Sequence, residues 1–401
     1  MARQIAAGVD IGTFQIKAII AEEIVDSDGR GIPKIIGAGT AETKGVKRGY
    51  ITDPTEAAKS IRAALNKAEK MAGERVKRAY FSTGGVGLTS VTASGSVVIT
   101  RADLEVVDKD IETALEMAES NIPSSALLNR KIINSIPLEY RIDGKPVWGR
   151  VEGLKAQKLE VKALFITAME HHLQDTIKTG ELAGVEVIDL VVAPVAASFV
   201  TLSKRQKKAG VVLVDLGAET LSLVVFENDN LVSLEVFPIG GADMTNDIAL
   251  GLKVPLEAAE VIKLGGLTRA TYSRKKLDEV VSARLSDCFE LVQGHLKKIE
   301  RDALLPAGII ITGGGAGLSA VKDFAQEYLK LPSQIAEIHF SANDKGRMKD
   351  HVWAVACGLS IIGFNADNEQ ILVGEKGSET IIHELKRLSR KTSDLISRFL
   401  P

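Results

Sequence analysis

The sequence predicts an α/β protein with two related lobes and a small α+β subdomain inserted into the first lobe. Three observations favour this fold class. Strand-like and helix-like segments alternate along most of the 401 residues, as in layered α/β folds. An apolar strand ending in Asp-x-Gly, a tight turn and a second strand occur twice, with Asp10 and Asp215 as the aspartates. Residues 84–165, between the two copies, show a different pattern, which begins with a period-two alternation over 86–100 that is typical of a half-buried strand.

The elements of each part follow from local patterns. The first long helix is predicted to begin at Pro54, because Asp53 can cap it and proline suits the first helical turn. It is predicted to end near Met71. Strands are predicted over 5–11, 16–22, 34–41, 75–82, 86–100, 132–142, 159–166, 185–192, 211–216, 220–227, 231–239, 307–312 and 335–340. Further helices are predicted over 103–120, 171–182, 318–329 and 350–363 and after Pro194, Ala242, Pro255 and Arg274, with a linker over 365–380.

The composition excludes several classes of protein. With a net charge of −2 and 4% aromatic residues, the chain has neither the basic balance nor the stacking residues of a nucleic-acid-binding protein. Its two cysteines suit neither a disulfide scaffold nor a metal site, and we expect a reducing cytoplasmic environment without a secretory signal. No uncharged apolar run approaches the ~20 residues that a membrane span needs.

The repeated Asp-x-Gly turns are the main candidates for a binding site. They suit a polyphosphate and its metal ion, because glycine lets backbone amides approach phosphate oxygens. Asp10 and Asp215 could reach Mg²⁺ from opposite sides. The candidate phosphate contacts are Gly12, Thr13 and Lys17 in the first copy and Gly217, Ala218 and Thr220 in the second. The alternative reading of each copy alone is an ordinary tight turn.

Two weaker motifs could complete a nucleotide site. The turn Gly313, Gly314 and Gly315 follows a strand and could provide a flat surface for a ribose or adenine. Glu260 and Lys263 could hold a ribose and flank a base, although a surface ion pair at this spacing is an equally good interpretation. The basic cluster 204–208 is interpreted as a solvated loop, and His171 and His172 as solvated residues at a helix start.

The tail over 381–400 has the pattern of an amphipathic helix that could lie in a lipid headgroup layer. A helix docked on the protein core or in a dimer is the alternative. The candidate membrane-binding residues are Leu385, Leu388, Leu395, Ile396, Phe399 and Leu400 on the apolar face and Lys386, Arg387, Arg390, Lys391 and Arg398 on the basic face.

Together these motifs resemble the superfamily of actin, the heat-shock chaperones and the sugar kinases. The inserted subdomain and three local stretches, around Tyr80, Pro137 and Val261, make the chain similar to the bacterial cell-division family FtsA within it. The resemblance covers essentially the whole chain. It implies an actin-like two-lobed ATPase fold that binds ATP and Mg²⁺, forms protofilaments, and binds the C-terminal peptide of the tubulin-like protein FtsZ. It also implies peripheral attachment to anionic lipid on the cytoplasmic face of the inner membrane at the septum, and contacts with later divisome membrane proteins.

The resemblance also implies a division into subdomains. These are IA over 1–83, 166–209 and 346–364, the inserted subdomain 1C over 84–165, IIA over 210–245 and 304–345, IIB over 246–303, the linker over 365–380 and the membrane-binding helix over 381–401.

The chain departs from the superfamily pattern at two places. Ala218 and Glu219 replace turn glycines, so Glu219 brings a carboxylate to the phosphate side unless its side chain points away. The helix at Pro194 begins with Ala193, where active relatives such as MreB have a glutamate that orients the attacking water. We therefore expect no catalytic residue and at most a slow ATPase. A PilM-like pilus scaffold and a small-molecule kinase remain as alternatives.

Overall fold

The computed structural model describes residues 4–25, 31–267, 271–338 and 351–370. Their contacts define two compact units. The first contains the described residues up to 86, from 172 to 228 and from 235 onward, and the second contains residues 87–171 and 229–234.

The strands and helices follow the predicted alternation. The strands are β1 (Ile5–Ile11), β2 (Gln15–Val25), β3 (Gly31–Glu42), β4 (Val46–Lys47), β5 (Tyr50–Ile51), β6 (Arg78–Thr83), β7 (Thr89–Val98), β8 (Arg130–Ile142), β9 (Lys145–Val147), β10 (Lys158–Met169), β11 (Glu186–Val192), β12 (Val211–Leu216), β13 (Leu221–Glu227), β14 (Asn230–Phe237), β15 (Ile309–Thr312) and β16 (Ser333–Ile335). The α-helices are α1 (Pro54–Ala72), α2 (Asp108–Ser120), α3 (Glu170–Leu182), α4 (Ala193–Thr201), α5 (Lys204–Ala209), α6 (Gly241–Leu252), α7 (Leu256–Lys263), α8 (Arg274–Lys298), α9 (Val321–Leu329) and α10 (Ala354–Gln370).

Two sheets in this structure have the same topology. Their strand orders are β11-β6-β1-β2-β3 and β16-β15-β12-β13-β14. In each, the strand that carries the Asp-x-Gly motif pairs antiparallel with the next strand in sequence, and parallel with β6 or β15 on its other side. The duplication seen in the sequence therefore extends to the strand pairing around both aspartates.

Helix α1 covers one face of the first sheet. Asp53 caps it as predicted, because its Oδ1 accepts hydrogen bonds from the amides of Thr55 and Glu56 at 3.0 and 3.1 Å. Its apolar face is buried in the core cluster that also contains Val9 and Phe81. This packing fixes the position of β1 and so of Asp10 at its end.

Helices α4 and α10 cross closely in the same unit. A Cβ atom at Gly358 of α10 would lie only 1.9 Å from the carbonyl oxygen of Ala196 in α4, so only glycine permits this approach. Helix α10 also contacts β1, β2 and β6. These contacts attach helix α10 to the sheet that carries the first Asp-x-Gly turn.

The second unit contains a four-stranded antiparallel sheet, β7-β10-β8-β9, with α2 packed on it around a separate apolar core. Its helix begins at Asp108 and not at the predicted Asp103. The Asp110 carboxylate accepts a hydrogen bond from the Val107 amide at 2.9 Å and so fixes the helix start there. Residues 229–234, assigned to IIA by the resemblance, belong to this unit, where Ser90 bonds both backbone polar groups of Leu234.

The predicted linker and the last predicted strand need correction. Helix α10 continues to Gln370, so residues 365–370 of the predicted linker are helical. No glycine or proline occurs there to end the helix before Gly374. The strand predicted over 335–340 is β16, which ends at Ile335.

Two basic segments are also less solvated than predicted. The cluster at 204–208 forms α5, and Lys207 is buried with its Nζ 5.0 Å from the Phe199 ring centre and 4.8 Å from that of Phe226. His172 is buried and packs edge-on against Tyr50 at 4.9 Å. Side chains with long apolar portions can be buried in ways that local charge patterns do not reveal.

Candidate functional site

The first Asp-x-Gly turn connects β1 and β2, whose antiparallel register places Asp10 opposite Lys17. Lys17 Nζ lies 3.6 Å from an Asp10 carboxylate oxygen. The other oxygen accepts a hydrogen bond from Ser82 Oγ at 3.2 Å, and this hydroxyl accepts one from the Ile11 amide at 2.8 Å. Ser82 therefore fixes the carboxylate at the strand end, although no sequence pattern marked it as a site residue.

Burial dominates the electrostatics of this first carboxyl group. It raises the pKa of Asp10 above its usual value, because the charged form loses hydration. The charge of Lys17 and the hydrogen bonds from Ser82 and Lys17 oppose this rise. The first turn thus supplies its own cation to the aspartate.

The second turn is held by its own backbone and by the start of α6. The Gly217 amide donates to the Thr220 carbonyl at 2.9 Å, which closes the turn. The amides of Gly241 and Ala242 donate to the carbonyls of Gly217 and Ala218 at 2.9 and 2.7 Å. The turn therefore has a fixed backbone even though an alanine and a glutamate replace two of its glycines.

Asp215, at the end of β12, also carries an electrostatic penalty. Burial, followed by repulsion from Asp10, raises the pKa of Asp215 from 3.8 to about 6, and only the charge of Lys17 opposes this. The two aspartates are thus close enough for their charges to repel one another. A divalent cation between them would relieve this repulsion.

The glycine turn after β15 lies directly against Asp215. Gly313 has a φ of +82°, and a Cβ there would be 2.1 Å from Asp215 Oδ1. Gly315 packs equally closely on Leu216, whereas a Cβ at Gly314 would meet nothing within 4 Å. The backbone at Gly314 is therefore open, as a surface that contacts a ligand must be.

Glu260 and Lys263 form the ion pair that their spacing allows, with a distance of 2.6 Å. Lys263 Nζ also donates to Thr245 Oγ1 at 2.9 Å and to the Gly241 carbonyl at 3.1 Å. Because Gly241 bonds the second turn, the pair lies beside that turn. Lys263 therefore connects α6 and α7, and its positive charge can still interact with a ligand.

Glu219 does not point freely into the phosphate region. Its Oε2 accepts a hydrogen bond from the Arg48 amide at 2.6 Å, in the turn between β4 and β5. The neighbouring Gly49 amide donates to Thr13 Oγ1 in the first turn at 3.2 Å. The 48–49 turn therefore bonds both Asp-x-Gly turns, a connection that no sequence pattern indicated.

The residues present fit a nucleotide with its metal ion. Within the described residues, the amides of Thr13 and Ala218 donate no hydrogen bond and can serve phosphate oxygens. No group of three or more potential metal ligands occurs in that part of the chain. Magnesium commonly binds through one or two carboxylates and keeps several waters, which suits the pair Asp10 and Asp215.

The site has no candidate for a water-activating base at the start of α4, where Ala193 and Pro194 carry only aliphatic atoms. The predicted membrane-binding residues, from Leu385 to Leu400, lie outside the described residues. Among the helices of the described ranges, none combines the length and apolar character needed to span a bilayer.

The fold is that of the actin-like proteins. The chain is similar to MreB 5 of Spiroplasma citri bound to AMPPNP, with a TM-score of 0.54 and 13% identity over 92% of this chain and 98% of that one. It is also similar to a chain of the PilM-PilN type IV pilus biogenesis complex, with a TM-score of 0.64 and 20% identity over 89% of this chain and 98% of that one.

Comparisons of sequence define the family more narrowly. The family described as cell division protein FtsA matches residues 212–358, and the SHS2 domain inserted in FtsA matches residues 85–167. The FtsA proteins of Pseudomonas aeruginosa and Bacillus subtilis are each 28% identical to the chain, over 96% and 95% of its length and 96% and 89% of theirs. The chain belongs to the FtsA family of cell-division proteins.

Proposed function

We propose that this chain is an ATP- and Mg²⁺-binding division protein that polymerises on the cytoplasmic face of the inner membrane at the septum. There it tethers FtsZ by its C-terminal peptide and helps to recruit later divisome membrane proteins. The observation that carries the proposal is the pair of Asp-x-Gly turns, joined around two mutually repelling carboxylates, in a chain of the FtsA family.

The nucleotide would lie against both turns. Asp10 and Asp215 would hold Mg²⁺ through water, and Lys17 and the amides of the two turns would bind phosphate oxygens. The open backbone at Gly314 and the pair Glu260 and Lys263 would contact the nucleoside. Relatives in fold support this, because MreB 5 of Spiroplasma citri binds AMPPNP and ADP in its structures. The metal ion that accompanies the nucleotide would offset the repulsion between the aspartates and the negative charge of the phosphates.

The lack of a base at α4 favours a switch over an enzyme. Without a positioned carboxylate, general-base activation of water is missing, and it typically contributes about 10²–10⁴-fold to a rate. The nucleotide would then select between conformations by differential affinity. Calorimetric titration of the full chain with ATP and Mg²⁺, beside a phosphate-release assay, tests this directly. Binding with negligible release supports the switch, and absence of binding refutes the nucleotide site.

The tail over 381–400 would provide the membrane contact. Each molecule would bind weakly, because the tail has one aromatic residue, and polymerisation would add avidity. The test is sedimentation with anionic vesicles of the full chain carrying Leu395→Glu on the apolar face. Ser397→Glu, on the opposite face of a helix, adds the same charge as a matched control. We expect Leu395→Glu to weaken binding at least about tenfold, since it removes a buried leucine and adds a charge. Equal binding by both variants would exclude membrane attachment through this face.

Polymerisation and FtsZ tethering need separate measurements. Electron microscopy on anionic lipid monolayers with ATP should show filaments if the protein polymerises there. A titration with a fluorescent peptide of the FtsZ C-terminus should give saturable binding. Failure of either measurement removes that activity and leaves the assignment to the family unchanged.

A further inference from the structure

The hairpin of β4 and β5 contacts both halves of the candidate nucleotide site. The Arg48 amide donates to Glu219 in the second turn, and the Gly49 amide donates to Thr13 in the first turn. Both donors are backbone groups of two adjacent residues. The hairpin can therefore satisfy both bonds only when the two Asp-x-Gly turns keep their present spacing.

The 48–49 turn has little freedom to follow Glu219 if that side chain moves. Arg48 and Gly49 both have left-handed conformations, with φ of 50° and 78°. A Cβ at Gly49 would lie 2.4 Å from the Gly85 Cα, and the Arg48 carbonyl accepts a hydrogen bond from the Val86 amide at 3.3 Å. The turn is held on the β6 side by this packing, so displacement of the carboxylate would break the Glu219 bond rather than carry the turn along.

Glu219 is also confined on its own side. Hydrogen bonds from the first residues of α6 fix the carbonyls of Gly217 and Ala218, immediately before it. A Cβ at Gly240 would lie 2.8 Å from the Glu219 amide nitrogen, so the backbone here is closely packed as well. The Glu219 backbone is therefore fixed, so its carboxylate stays within side-chain reach of the turn that would bind phosphate.

We propose that Glu219 determines nucleotide selectivity at this site: its carboxylate, bonded to the Arg48 amide, disfavours a nucleoside triphosphate relative to a diphosphate. This inference rests on the proposed nucleotide site. The extra phosphate of a triphosphate brings negative charge to the same two turns, where it competes with Glu219 for backbone donors and repels it. A diphosphate leaves the bond between Glu219 and Arg48 intact.

The proposal has a structural consequence for the hairpin. A bound triphosphate separates Glu219 from the Arg48 amide and frees one of the two bonds that join the hairpin to the Asp-x-Gly turns. Arg48, whose amide would lose this bond, also accepts a hydrogen bond from the amide of Val86 through its carbonyl. Val86 is the last residue of the first unit before the chain enters the second.

Titration of wild type and Glu219→Gln with ADP and with AMPPNP, each with Mg²⁺, tests the selectivity. The glutamine keeps an acceptor for Arg48 and removes the charge. We expect AMPPNP to bind the variant about tenfold more tightly, as expected for loss of one charged interaction, while ADP affinity changes less than about twofold. Glu181→Gln, an exposed position on α3, controls for net charge and should behave as wild type.

Hydrogen exchange at the Arg48 amide of the wild-type protein gives a second readout that needs no variant. This amide should be protected in the nucleotide-free and ADP-bound protein and should exchange faster with AMPPNP. An unchanged ratio of affinities in Glu219→Gln, or equal exchange with both nucleotides, would overturn the proposal while leaving the nucleotide site standing. If the wild-type protein binds neither nucleotide, both the proposed nucleotide site and the proposed selectivity are refuted.

Discussion

Asp215→Asn should raise the free energy of unfolding at neutral pH in the protein without nucleotide or metal. The asparagine keeps the shape of the side chain and removes the charge that Asp10 repels. The pKa of Asp215 is raised from 3.8 to about 6, so the folded state holds a proton that the unfolded state releases at lower pH. The free energy of unfolding of wild type therefore falls as pH rises through this window.

The magnitude follows from the shift in pKa. One unit corresponds to ~1.4 kcal/mol, so the ionised carboxylate costs the folded protein about 3 kcal/mol above pH 6. The variant has no such cost. We expect Asp215→Asn to be about 2–3 kcal/mol more stable than wild type at neutral pH and nearly equal to it below about pH 4. Added Mg²⁺ should stabilise wild type above pH 6 and the variant much less.

Urea unfolding with a chelator present, at several pH values from about 4 to 8, measures this difference. Other groups titrate in the same range, so the quantity to use is the difference between variant and wild type at each pH. Asp278→Asn, on the exposed side of α8 with 63% of its side chain accessible, is the matched control and should change stability little. A difference that is constant with pH, or a variant less stable than wild type at neutral pH, would refute the electrostatic reasoning.

Three further predictions concern other parts of the first unit. Burial and the charge of Lys298 lower the pKa of His295 to about 4, so between pH 4 and 6.5 the folded state binds fewer protons than the unfolded state and the free energy of unfolding rises with pH. His295→Gln should remove this gain of about 3 kcal/mol, as measured by urea unfolding over a series of pH values. Ser82→Ala should cost about 1–3 kcal/mol, because the partners of its hydroxyl stay buried, and should weaken Mg²⁺-nucleotide binding by calorimetry; unchanged binding would contradict its positioning role. Gly313→Ala should lower the melting temperature strongly, since φ is +82° and Asp215 blocks a methyl group, whereas Gly314→Ala should change it little.

Much of the fold could be predicted from local patterns. Asp53 with Pro54 defined the start of α1, and the runs ending at Ile11 and Leu216 defined the central strands of both duplicated sheets. Such features depend on capping and on hydrophobic period, which neighbouring residues determine. The ends of α10 and β16 were wrong, because residues 365–370 lack a helix breaker and the three-residue pairing of β16 is set by β15.

The candidate site was predictable in its parts and not in its connections. Asp10, Asp215 and the glycine turn were selected from the sequence, and the structure brings them together. Ser82 could have been found from the duplication, since it stands beside Asp10 on β6 as Thr312 stands beside Asp215 on β15. The bond from Arg48 to Glu219 joins residues 171 positions apart through a backbone amide, and no residue type signals such a contact.

The two turns share a topology and differ in how their charges are balanced. In the first, Lys17 and the Ser82 hydroxyl stabilise the Asp10 carboxylate before any ligand arrives. In the second, Asp215 has no ion pair within the described residues, and Glu219 adds a further carboxylate to the same turn. A metal ion between the turns would therefore neutralise Asp215, which has no cation of its own in the described part of the chain, beside an Asp10 carboxylate that Lys17 and Ser82 already hold. Because Ala193 offers no base for attack by water, we propose that a bound nucleotide and metal ion act through binding and through rearrangement of the 48–49 turn.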